Sequence, residues 1–235
     1  MVFDPLGLIM LVVIFGVSMA AQGFLRTTFG KYSKIRNAKD ITGAEVARDI
    51  LDSNGLQHVG VEATPGYLSD HYDPMKKVVR LSEPNFNSPS LAALAVAAHE
   101  VGHAIQHAKA YGPLVARSAL AAPLGIASTV GQFALMGGMM ALAFAGSSGL
   151  GQPLLLIGVI GLGAVLLFHL VTLPVEFDAS NRALAILERG GYLSVDENQG
   201  ARKVLNAAAM TYVVAALASA AQFLYYLGIL RGSDE

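Results

Sequence analysis

Apolar residues in this chain follow two patterns: long unbroken runs, and short periodic patches separated by turn formers. The runs cover residues 5–25, 118–145, 153–175 and 205–230. Each reaches the roughly 20 apolar residues a helix needs to cross a bilayer, so the chain is expected to span a membrane about four times.

The periodic patches predict a smaller folded unit. Thr42-Gly-Ala-Glu45 has the spacing of a capping box and starts a helix carrying Val46, Ile50 and Leu51 on one side, which Asn54-Gly55 stops. Residues 58–63 read as a short strand, 64–74 as a turn-rich loop, and 77–82 as a second strand from their alternation. Ser88-Pro89 supplies an N-cap and a first-turn proline for a helix over 91–110, which Gly112-Pro113 closes. A further helix is expected to begin near Glu176 and run to Gly190-Gly191. Ser194-Val-Asp-Glu197 is a second capping box, opening a helix that continues into the fourth run. Residues 26–40, rich in Lys and Arg, read as a solvated or headgroup-facing linker.

The expected architecture is therefore an α-helical membrane protein with a small α+β cytoplasmic domain. It divides into an anchor (1–25), the α+β domain (26–113), a hairpin of two spans (114–175), cytoplasmic helices (176–204), and a fourth span with a short tail (205–235). Composition agrees: 54% of residues are hydrophobic and only 14% charged, against about 25% charged in ordinary soluble domains. The first run has no basic residue before it and several after it, the reverse of a signal peptide, so it is read as an uncleaved anchor with its N-terminus outside. Fifteen of the 16 Lys and Arg lie in 26–117 and 176–204, which share one side of the membrane if there are four spans. That bias is expected to place both segments in the cytoplasm. A net charge of −1 gives no reason to expect nucleic acid, and the absence of cysteine excludes disulfides and thiolate metal sites.

Candidate chemistry is concentrated in His99-Glu100-Val101-Gly102-His103. On a helix, positions i and i+4 share a face, so two imidazoles can point at one ion while Glu100 stands beside them to polarise water. A catalytic zinc ion needs a third protein ligand. His107 lies one further turn along the same face, although three histidines spaced by four rise along the helix and converge poorly. Glu176 and Asp178 follow the third run, and two spans return them to the side of the histidine helix. A metzincin pattern is excluded, because Gln106 and Lys109 stand where Gly and His would be required. The apolar residues before His99 are too few to span, which favours a site at the membrane surface over one inside the bilayer.

Three segments, 66–74, 97–107 and 173–180, carry a resemblance to the YugP-type family of bacterial zinc-dependent membrane metallopeptidases. The likeness extends over nearly the whole chain. More remotely, the chain is similar to membrane gluzincins such as the CAAX prenyl proteases and the heat-shock membrane proteases. The resemblance implies a zincin-like cytoplasmic domain, Zn2+ as cofactor, His99, His103 and Glu176 as its ligands, and Glu100 as general base. One position departs from the remote pattern: Ser180 stands where those families have an aspartate four residues after the ligand glutamate. Asp178 or His169 could take over the support of a ligand histidine.

The expected activity is peptide-bond hydrolysis in membrane or membrane-proximal proteins, by a zinc-activated water with Glu100 as base. His107, Tyr111 and Arg182 are the candidate oxyanion donors, and the strand at 77–82 is a candidate edge for an extended substrate. The partners expected are a protein or peptide substrate and the lipid bilayer. The rival reading is a zinc-binding regulatory or scaffold protein without hydrolytic activity. A transporter is disfavoured, since the runs hold few ionisable residues, with His169 the main exception.

Overall fold

The computed structural model describes residues 5–145 and 149–232. The chain resolves into two compact units. One comprises residues 1–20, 116–173 and 212–235; the other comprises 21–115 and 174–211.

The first unit holds the apolar lengths of four long helices: α1 (Pro5–Tyr32), α5 (Gly112–Ala145), α6 (Gly151–Arg189) and α7 (Val195–Gly232). All four are long and apolar enough to cross a membrane, at the positions the hydrophobic runs predict. Phe15, Phe133 and Leu224 are 65%, 67% and 65% exposed. A water-soluble surface rarely carries apolar area on this scale, whereas a lipid-facing one requires it. Glycines hold α5 against α6: a Cβ on Gly131 would lie 2.5 Å from the Cα of Gly161, and one on Gly158 would lie 2.7 Å from the Cα of Leu135. Small residues let the backbones approach, and dispersion contacts replace the hydrophobic drive that lipid removes.

The second unit is mixed. Its helix α2 (Gly43–Ser53) opens on the predicted capping box, with Thr42 Oγ1 accepting from the Glu45 N–H and the Thr42 N–H donating to Glu45 Oε2. Three short strands form one sheet: β1 (Gly60–Thr64), β2 (His71–Asp73) and β3 (Val78–Ser82), in the order β1-β3-β2. β1 runs parallel to β3 and β2 antiparallel to it. β3 is therefore central. Both of its edges are paired, so it cannot receive a substrate strand as its sequence position suggested; the free edges belong to β1 and β2. β2 and the one-turn helix α3 (Glu83–Phe86) lie in stretches without an apolar period long enough to announce them.

Helix α4 (Leu91–Ala108) carries the histidine motif. Its N-cap is Ser90, whose Oγ accepts from the Ala93 N–H at 3.2 Å, and not Ser88. The backbone of 88–89 is engaged elsewhere: the Ser88 carbonyl accepts from the Gly43 N–H, and that of Pro89 from the Asn37 N–H and Asn37 Nδ2. The segment 26–40 is thus no simple linker. α1 continues to Tyr32, with Phe29 and Tyr32 in the core, and Asn37 is buried as a brace between 41 and 89. At its far end α4 stops at Lys109, where Ala110 takes a left-handed φ of 48°, and Gly112-Pro113 opens α5 instead of closing α4. Likewise no helix starts at Glu176, because α6 runs unbroken through Pro174. A proline inside a long apolar helix removes one backbone bond without ending it. The Ser194 capping box forms as expected, with Ser194 Oγ accepting from the Glu197 N–H and the Ser194 N–H donating to Glu197 Oε2.

The core of this unit joins Val46, Ile50 and Leu51 of α2, Val79 and Leu81 of β3, Leu94, Val101 and Ile105 of α4, Leu187 of α6 and Val204 of α7. Leu94 is fully buried at its centre. Truncating it to alanine removes that burial and leaves a cavity, so Leu94→Ala is expected to cost about 2–5 kcal/mol. Thermal unfolding of the detergent-solubilised protein measures this as a lowered midpoint.

Candidate metal centre

Apart from the motif and Gln106-His107, the sequence of α4 is apolar on every side, so the helix enters the core and takes its histidines with it. His99 and His103, one turn apart, bring their rings to 4.7 Å between centroids at nearly a right angle. α6 supplies the third group. Glu176 Oε2 lies 3.3 Å from His99 Nε2 and 3.6 Å from His103 Nε2. Among the described residues, these three form the group of side chains able to hold a metal ion, with donor atoms all within 4.8 Å of one another. Ligands at the usual bond lengths around a tetrahedral zinc stand about 3.3 Å apart, so the spacing suits a small ion with little adjustment. The histidine side chains are 14% and 12% exposed, against 4% for Glu176, which leaves an approach from solvent on the histidine side.

Gly102 makes this meeting possible. A Cβ at that position would sit 2.9 Å from the Ala179 carbonyl oxygen and 3.3 Å from its Cα. α4 and α6 therefore touch backbone to backbone within one turn of all three donors. In the sequence this glycine registers only as a weak point in a helix; in the structure it is the crossing point.

The other nitrogens of the two imidazoles are held by α4 and α6 themselves. His103 Nδ1 faces Gln106 Oε1 at 3.0 Å. Gln106 is fully buried, and its Nε2 donates to the Val175 carbonyl and to Asp178 Oδ2, both at 2.8 Å. With both amide hydrogens committed, Oε1 can only accept. His103 must then carry its proton on Nδ1 and present the Nε2 lone pair to an ion. Asp178 also accepts from Arg182 Nε at 2.5 Å, and the Arg182 guanidinium lies over the Tyr111 ring at 5.7 Å. Asp178 thus acts through Gln106 and does not enter the donor group. For His99, the Ser180 hydroxyl meets Nδ1 at 3.1 Å. The residue that departs from the remote families' aspartate thus occupies the supporting position with a hydroxyl.

Charge in the pocket is set by burial. Desolvation pushes the Glu100 carboxyl above the ordinary carboxylate range, with the two histidines opposing it more weakly. A glutamate poised this way holds and releases a proton nearer neutrality than an exposed one. Burial acts the same way on Glu176, but the His103 and His99 imidazoles beside it outweigh that and hold this carboxylate well below the usual range. Two glutamates in one pocket are thereby driven apart, one toward proton exchange and one toward permanent charge.

The remaining candidates separate from this group. His107 Nδ1 pairs with the Tyr72 hydroxyl at 2.9 Å and is not among the converging donors. Arg182 and Tyr111 are engaged with Asp178 and with each other. Gln106 is the residue whose role sequence reasoning missed. Its one signal is a polar side chain three residues past His103, one helical turn from it.

Residues 7–231 match a family model described as a "putative neutral zinc metallopeptidase", and the chain belongs to that family. Among its relatives is a protein of Bacillus subtilis (strain 168) described as "putative membrane protease YugP". The two are 46% identical over 222 residues, covering 94% of this chain and 95% of the relative. No solved structure matches the chain.

Two substitutions test the geometry. Gln106→Leu removes the acceptor that fixes His103 and is expected to weaken metal binding about 10–100-fold, as loss of such supporting bonds does elsewhere; competition against a chelator measures it. Gly102→Ala gains about 1 kcal/mol of helix propensity, yet it forces α4 away from Ala179. The expected result is lowered metal content despite the better helix former, read by elemental analysis of the purified protein.

Proposed function

We propose that the protein is a membrane-integrated zinc metalloendopeptidase that hydrolyses peptide bonds in membrane or membrane-proximal proteins. The observation that carries this reading is the convergence of His99, His103 and Glu176, with both imidazoles fixed by Gln106 and Ser180. In this reading the second unit is a zincin-like domain, and the three side chains hold Zn2+. When bound, the ion supplies a Lewis acid and brings the pKa of water toward about 7.

The rest falls to the chain's own residues. Glu100 follows His99 directly on α4 and is buried beside the donor group. Its carboxylate takes a proton from the attacking water and returns it to the departing amine. The raised carboxyl described above suits both halves of that exchange. The Nδ1 contacts hold both imidazoles in one orientation, so no reorganisation of the site is needed as charge develops.

The orientation follows from charge. With four spans, the segments holding 15 of the 16 Lys and Arg face the cytoplasm, so the site faces inward from the bacterial plasma membrane. Because the chain has no cysteine, single introduced thiols report sidedness without background. Ser69→Cys should be shielded from an impermeant maleimide in intact cells, and Leu150→Cys, in the turn between α5 and α6, should be labelled.

The activity test compares wild type with Glu100→Gln and Glu176→Ala. Glu100→Gln should retain zinc and lose cleavage by at least about 100-fold, as loss of a general base does. Glu176→Ala should lose most of the zinc. If wild type and Glu100→Gln hold equal zinc and neither cleaves any protein in a proteome-wide screen, the non-hydrolytic scaffold reading replaces this one.

A further inference from the structure

One turn beyond His103 along α4, a cavity of about 170 Å³ opens between α4, β2 and the turn that precedes β1. At about 30 Å³ per water it has room for roughly five waters or one short side chain. Its polar lining is His58, Tyr72, Lys77 and His107, set among Leu56, Val59, Ala104 and Ala108. No acidic residue lines it. Asp73, the acidic neighbour of Tyr72 in β2, is engaged by Arg80 and by the N–H groups of Met75 and Lys76. His58 and Lys77 can donate hydrogen bonds outright, and the Tyr72–His107 pair offers one further donor, His107 Nε2–H when the Tyr72 hydroxyl donates to Nδ1. With His107 Nδ1 turned to the Tyr72 hydroxyl at 2.9 Å, Nε2 is the atom that His107 offers to a ligand.

Lys77 adds an independent sign. It adopts a φ of 53°, the left-handed region where a lysine is strained and glycine or asparagine is at home. Its carbonyl accepts from the Gly60 N–H at 3.0 Å, which pins the residue where β1 and β3 begin. Strain of this kind persists where the surroundings enforce it, and it concentrates at functional positions. Here it falls on a cationic residue that lines a carboxylate-free cavity.

We propose that this cavity is a carboxylate-binding subsite, lined by His58, Tyr72, Lys77 and His107, which selects substrates with an acidic side chain or a free C-terminal carboxylate close to the scissile bond. The inference rests on the peptidase reading above. His103 and His107 are about 6 Å apart along the helix axis, and an extended peptide advances about 3.3 Å per residue. The carboxylate therefore belongs about two residues from the bond that is cut.

The test measures binding apart from cleavage. Full-length, zinc-loaded Glu100→Gln protein in detergent is titrated with labelled peptides in isosteric pairs, Glu against Gln at each position and free carboxylate against amide at the C-terminus. One charged peptide should bind about tenfold more tightly than its neutral partner, the scale of a charge-assisted contact. Which pair shows the preference identifies a side chain or a chain terminus as the source. Lys77→Gly relieves the backbone strain while deleting the ammonium, so the protein should fold at least as well, keep its zinc and lose the preference. Lys77→Arg should retain it. Equal binding within every pair, a preference that survives Lys77→Gly, or no peptide binding at all overturns the proposal. Wild-type protein that cleaves the peptides without preference removes the subsite alone. Selective binding without cleavage by wild type removes the peptidase reading and leaves the anion site standing.

Discussion

The close approach of α4 to α6 at Gly102 is the contact on which the rest of the site depends. Two histidines on one helix can face the same way by periodicity alone, but a metal centre needs a third donor from elsewhere in the chain. With the Ala179 carbonyl 2.9 Å from the space a side chain would take, the helices lie as near as backbones allow. At that separation a glutamate three residues before Ala179 reaches both imidazoles, and a serine one residue after it reaches the back of one of them. One missing methyl group thus aligns donors and supports together.

Buried polarity is otherwise costly, and here Gln106 and both imidazole Nδ1 atoms each have a defined partner. Gln106 is fully buried, where an unmet amide would cost about 1–3 kcal/mol. It meets a carbonyl, a carboxylate and an imidazole. Because the amide can be satisfied only one way round, His103 is confined to one tautomer. A hydroxyl at Ser180 constrains His99 less strictly, since it can both donate and accept. The two ligands are therefore held with unequal firmness, and the firmer hold belongs to the histidine nearer the end of α4.

Local chemistry was legible in the sequence where one stretch sufficed to specify it. The four apolar runs, the capping boxes at Thr42 and Ser194 and the His99–His103 face all depend on near neighbours. Interactions between distant segments were not legible. Ser90 caps α4 because Asn37 and Gly43 engage the backbone at 88–89, and no local rule at Ser88 records that. A helix start is expected near Glu176, although α6 passes unbroken through Pro174 and Glu176. β2 is three residues long and exists because β3 offers an edge. Among the site residues, Glu176 could be reached by counting spans, whereas the role of Gln106 requires knowing that Val175 and Asp178 lie opposite it.

The split of the donor set between α4 and α6 also orders events during biosynthesis. When the ribosome has completed the motif at His103, it must still add 73 residues before Glu176 exists. Those residues include the two apolar runs that pair through Gly131 and Gly161. Until that hairpin is made, the nascent chain holds two of the three donors. The three-donor group is therefore complete only after the hairpin between its two helices has been synthesised.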